Sequence, residues 1–132
     1  MIRRPHLLGC PLPTGSAAMP DDILVCLSTC PDAATAEAIA TALVHESLAA
    51  CVNQLPGVRS TYRWQGAVHT DEEVLLVIKT TAGRLPALRE RLLALHPYEL
   101  PELIALPVTD GHAPYLDWVR AHAASPAPTP RS

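Results

Sequence analysis

The chain has 132 residues, a formal net charge of −3 and 48% hydrophobic residues, the size and apolar content of one folded domain rather than a disordered polymer. Its ten basic residues stand singly except for Arg3-Arg4, and nucleic-acid binding needs a clustered basic face, so that partner class is excluded. No apolar run approaches the ~18–20 residues of a membrane-spanning helix.

Residues 1–20 are rich in Pro, Gly and small side chains and are expected to form a disordered extension, with Met19 a second candidate start beside Met1. Arg3-Arg4 followed by Leu7-Leu8-Gly9-Cys10 resembles a lipoprotein cleavage site. Pro5 and His6, however, leave two leucines where an export signal needs about 7–15 apolar residues. Cys10, Cys26, Cys30 and Cys51 are not spaced like a disulfide framework. They read as reduced thiols in a cytoplasmic protein.

The domain proper is expected over residues 21–123. Ile23–Ser28 is a short apolar run ending before Pro31, hence a buried strand. Asp32 then caps a helix of roughly residues 33–47, whose Ala36, Ile39, Ala40, Leu43, Val44 and Leu48 fall on one stripe. Residues 50–64 are strand-like but broken at Leu55-Pro56-Gly57, where a bulge or bend is expected. Gln65-Gly66 opens a hairpin and Ala67–Thr81 returns as a long strand. Thr81 is expected to cap a second helix with Pro86 in its first turn and Leu85, Leu88, Leu92 and Leu95 on its buried stripe. Pro97 ends that helix at His96. Glu102–Val108 makes a fourth strand, Asp110-Gly111 a turn, and Pro114 opens a last short helix. Residues 124–132, with Pro126, Pro128 and Pro130, are expected to be a disordered tail.

The order β-α-β-β-α-β plus a short C-terminal helix is that of an α+β, ferredoxin-like domain with two helices on one face of an antiparallel sheet. Such a sheet should alternate apolar with polar residues if its other face is wet. Val74–Ile78, Leu103–Leu106 and Ile23–Leu27 do not alternate. The second face would therefore expose a larger apolar patch than a soluble monomer usually carries. An oligomer follows, of undetermined subunit number.

Several segments in sequence carry a resemblance. They are Thr29-Cys30-Pro31-Asp32, Leu48–Asn53, Tyr62-Arg63-Trp64-Gln65-Gly66, Asp71–Val74, Ile78-Lys79-Thr80, His96–Glu102 and Tyr115–Trp118. Over about residues 22–120 the chain resembles the CutA divalent-cation-tolerance family. The resemblance implies a ferredoxin-like fold in a PII-like homotrimer with sheets packed around a threefold axis. It also implies a role in tolerance of divalent ions, copper above all. Ala67-Val68-His69 departs from the family's hairpin, where many members carry a lysine and an acidic residue.

The candidate site residues follow from chemistry and from that resemblance together. Cys51 matches the family's cysteine and is a soft donor suited to copper, although its neighbours Ala50 and Val52 favour a buried small hydrophobe there. His96 and Glu99 place an imidazole and a carboxylate in one turn, either as metal ligands or as a helix terminus where histidine is electrostatically favoured. Tyr98 lies between them. Arg63, Glu72, Glu73 and Lys79 are charges beside apolar strands and point to intersubunit ion pairs or a ligand cleft. Tyr62 and Trp64 fit an interface. Cys26 and Cys30, about 13 Å apart along one strand, cannot share an ion and read as core cysteines. No phosphate loop, nucleophile elbow or paired-histidine motif is present, so a binding protein is expected and not an enzyme.

Overall fold

The computed structural model describes residues 18–124, with four strands and three α-helices. Cys10, most of the expected extension and nearly all of the expected tail lie outside the described residues. At the inner edge of the extension the chain is already tied down: the Pro20 carbonyl accepts the Gly83 amide at 3.0 Å.

Strand β1 (Ile23–Cys30) leads through Asp32 into helix α1 (Ala33–His45). The Asp32 carboxylate accepts the Thr35 amide proton at 2.7 Å, satisfying one of the donors that a helix start leaves unpaired. Ala36, Ile39, Ala40 and Leu43 form the buried stripe. The helix stops two residues short of the expected end because Ser47 turns to φ 58. The amides of Leu48 and Ala49 then bond back to the Leu43 carbonyl.

Strands β2 (Cys51–Trp64) and β3 (Ala67–Thr81) form a long hairpin. Gln65 and Gly66 both take positive φ, 49° and 81°, the two-residue turn whose twist matches the flanking strands. The expected irregularity is present as a register shift between Leu55 and Val58, with Gly57 at φ 78. Thr81 does not cap the second helix. It is the last residue of β3, and its hydroxyl donates to the Ala123 carbonyl at 3.0 Å, while a 3-10 turn over Ala82–Arg84 makes the entry to α2 (Leu85–Leu95). Strand β4 (Ile104–Pro107) is shorter than expected, and α3 (Ala113–His122) closes the fold.

The sheet order is β2-β3-β1-β4 with every pair antiparallel, the ferredoxin-like α+β arrangement. One face carries Leu24, Cys26, Cys30, Val74, Leu76 and Ile78 against the buried stripes of α1 and α2, and this is the core. Among the described residues the opposite face is covered only at one end, where Val119 and Ala123 pack on Ile23 and Ala50. Beyond that patch Val25, Leu27, Leu75 and Val77 are half-buried, and Ile104 and Leu106 are 50% and 47% exposed. No helix among the described residues is long and apolar enough to cross a membrane.

Because β1 ends at Cys30 opposite Val74, the outer part of the β2–β3 hairpin has no third strand beside it among the described residues. It projects from the sheet as a two-stranded ribbon. That overhang positions the site.

Candidate functional site

The loop after α2 passes the end of β1 toward the ribbon, and four bonds hold it. His96 Nε2 lies 2.8 Å from the Thr29 carbonyl oxygen, and its Nδ1 accepts the Tyr98 amide at 3.1 Å. A carbonyl can only accept, so Nε2 carries the proton and the ring is neutral. The Tyr98 hydroxyl donates to Glu73 Oε2 at 2.6 Å, and Ser28 Oγ donates to the Glu102 carbonyl at 2.7 Å.

Between this loop and the ribbon lies an open cleft of about 1080 Å³. Its aromatic lining is Tyr62, Trp64 and Tyr98; Arg63, Glu72, Glu73 and Glu99 line it too. Seven residues singled out in the sequence therefore meet in one place. Two further carboxylates line it that sequence reasoning passed over as site residues, Asp71 and Glu102. The signal for Asp71 was period-two alternation, which puts it on the same ribbon face as Glu73.

Five carboxylates thus face one guanidinium around the cleft. Glu73 is only 7% exposed, and the ion pairs among the described residues, Arg91–Glu46 and Arg120–Asp117, leave it without a basic partner. Burial first, and then the neighbouring Glu73 charge, hold the Glu102 carboxyl above the usual carboxylate range. The Tyr98 phenol is pushed upward by burial and by its bond to Glu73. Tyr62 donates to Asp71, which raises its phenol as well, and stacks on His69 with ring centroids 5.7 Å apart.

The expected metal residues are not brought together within one chain. Cys51 pairs with Lys79 on β3, whereas His96 is anchored to Thr29, which faces Leu75. Four residues along a strand separate those levels by about 13 Å. Both His96 nitrogens are already engaged, and no cluster of three or more His, Cys, Asp or Glu suited to an ion exists among the described residues. A metal held by Cys51, His96 and Glu99 of a single chain does not fit this arrangement. Lys79 also stands apart from the cleft, its ammonium donating to Asn53 Oδ1. Cys26 and Cys30 are fully buried core cysteines, as expected, and burial pushes both thiols up to about 11.

Comparison with known proteins gives one answer throughout. The family model described as CutA1 divalent ion tolerance protein matches residues 24–122. The divalent-cation tolerance protein CutA of Thermus thermophilus is 55% identical over 96 residues, 73% of this chain and 93% of that protein. The solved structure of the Thermus protein superposes with a TM-score of 0.76 at 52% identity, over 77% of this chain and 99% of that one. Human protein CutA is 46% identical over 107 residues, 81% of this chain but 60% of the human protein. A structure described as the periplasmic divalent cation tolerance protein CutA from Archaeoglobus fulgidus superposes with a TM-score of 0.75 at 30% identity, over 77% of this chain and 99% of that one. The chain therefore belongs to the CutA1 divalent ion tolerance family.

Proposed function

We propose that this chain serves divalent-cation tolerance as a homotrimer with PII-like architecture, binding ligands rather than catalysing a reaction. The observation that carries the reading is the sheet face left open beside α3. Val25, Leu27, Leu75, Val77, Ile104 and Leu106 lie there in adjacent registers, and burying each such side chain stabilises by roughly 1.5–3 kcal/mol. Sheets packed against one another in a trimer give that face its cover. Sedimentation at low micromolar concentration is expected to show a species near three times the 14.1 kDa subunit; a stable single subunit would overturn the assembly.

For the metal response we assign copper and place its soft donor at Cys51, the half-buried thiol among the described cysteines. Glu99 and further groups would come from neighbouring copies. His96 stays in its hydrogen-bonded structural position. Copper titrated calorimetrically into a Cys10→Ser background should release heat that Cys51→Ser abolishes and His96→Ala retains. Negligible heat in all three proteins would sink the metal reading. The buried thiols of Cys26 and Cys30 suit a reducing compartment, and we place the protein in the cytoplasm, to be checked by cell fractionation.

A second reading is favoured by the cleft itself. Seven of the residues marked in the sequence converge on it, which supports a scaffold that presents a small ligand or a protein segment between subunits. A metal-free thermal-shift screen separates the two readings, since only the second expects stabilisation without an ion.

A further inference from the structure

We infer that copies of the chain meet through two unlike faces of the ribbon, the Arg59 and Arg63 side of one copy seating on the Tyr62, Trp64, Asp71 and Glu73 side of the next. This rests on the homotrimer reading above and names surfaces that meet in it. Side chains alternate between the two faces of a strand pair, and the register assigns each one. Ser60 stands opposite Asp71, Val58 opposite Glu73 and Trp64 opposite Ala67. Tyr62 donates to Asp71 and stacks on His69, which confirms that these residues share a face. Arg59 opposite Glu72 and Arg63 opposite Val68 belong to the other face, where the Thr61 and Thr70 hydroxyls lie 3.0 Å apart.

The two faces are complementary in charge. Between residues 58 and 73 the first carries two carboxylates and no lysine or arginine, and the second carries two guanidinium groups against one carboxylate. Arg59 and Arg63 are exposed, and neither enters an ion pair among the described residues. A guanidinium is the cation suited to such a surface, because it forks onto carboxylates and stacks on aromatic rings.

Continuity with the open sheet face selects a second copy as the occupant. Glu73, Leu75 and Val77 follow one another at period two on β3, so the acidic face prolongs the apolar face that assembly covers. A copy lying over Leu75 and Val77 therefore comes up to Glu73, which is only 7% exposed and is bonded by a neutral phenol. A buried carboxylate is costly without a cation, and a neighbouring ribbon brings one. Opposite faces of one ribbon cannot meet within a chain. A twofold contact would set each face on itself and bring Asp71 and Glu73 against their own copies. Unlike faces give a head-to-tail contact, which closes as a ring.

The test uses two differently tagged full-length chains, both with Cys10→Ser and Cys51→Ser, co-expressed so that they assemble together. One carries Arg63→Cys and the other Asp71→Cys, and the purified oligomer is treated with a short bis-maleimide. Cross-linked pairs are expected to contain both tags, with no product joining two copies of the same variant. Pairing of Asp71→Cys copies with each other, or no mixed product from an oligomer that sedimentation shows intact, would overturn the contact and leave the trimer standing. A single subunit of 14.1 kDa in sedimentation would remove both. Arg59→Glu combined with Arg63→Glu leaves the Tyr62–Asp71 bond in place and supplies a second readout. The concentration at which the oligomer half-dissociates should rise about tenfold or more, a loss of roughly 1.4 kcal/mol, and no change there would also overturn the contact.

Discussion

Cys26 and Cys30 sit four residues apart on β1, inside the core, with thiols pushed up to about 11 by burial. The thiolate is the reactive species, so neither should react with iodoacetamide in the native protein at neutral pH. Peptide mapping is expected to find both modified only after unfolding; labelling in step with Cys51 would contradict their placement. Glu102 is shifted in the same direction and gives a pH signature in stability. Its folded pKa is raised, chiefly by burial and then by Glu73, so its contribution favours folding when protonated. That contribution is complete below the unfolded carboxylate pKa and is lost as pH rises through the raised folded value. Glu102→Gln should therefore raise the melting temperature at neutral pH and leave it unchanged in strong acid. A gain that persists unaltered into acid would rule out the electrostatic cause.

Helix α1 shows how element boundaries follow from single side chains. Its start is set by Asp32, whose carboxyl is held below the usual range, first by the Thr35 amide. A depressed carboxylate contributes stability above its unfolded pKa and loses it as pH falls through the folded value. Asp32→Ala should lower the melting temperature at neutral pH, with the difference closing in acid. The packed face matters more. Leu43 is fully buried between sheet and helix, and Leu43→Ala should cost roughly 2–5 kcal/mol through lost transfer energy and the cavity left behind. Chemical denaturation would measure it, and a loss below that range would mean that the neighbouring side chains collapse into the space. The C-terminal helix has a different part: Thr81 is recruited to hold Ala123 instead of capping α2, so α3 is fastened across one end of the open face.

For the whole molecule the governing feature is the imbalance between a sheet apolar on both sides and helices that cover one. Val77 lies on the uncovered face, paired with Leu27 on β1 and Asn53 on β2. A carboxylate there would have to be buried without a partner in any assembly that closes this face. Val77→Asp is expected to shift the protein from oligomer to monomer in sedimentation while circular dichroism retains the folded signal. An unchanged oligomer would move the interface elsewhere. The cleft sits where the ribbon overhangs β1, so a change in assembly should also change any ligand binding there.

The element order, the hairpin turn, the bulge near Pro56, the capping by Asp32 and the two apolar sheet faces were all written in the sequence, because each depends on residues near one another along the chain. The same holds for the resemblance carried by Tyr62–Gly66 and His96–Glu102. Only the tertiary structure decided which of those residues meet. His96 and Tyr98 share a turn, yet one is spent on the Thr29 carbonyl and the other reaches Glu73, 25 positions away. Cys51, joined to His96 and Glu99 by chemistry on paper, is separated from His96 by the length of a strand register. Long-range pairing fixes such distances, and no local spacing encodes it.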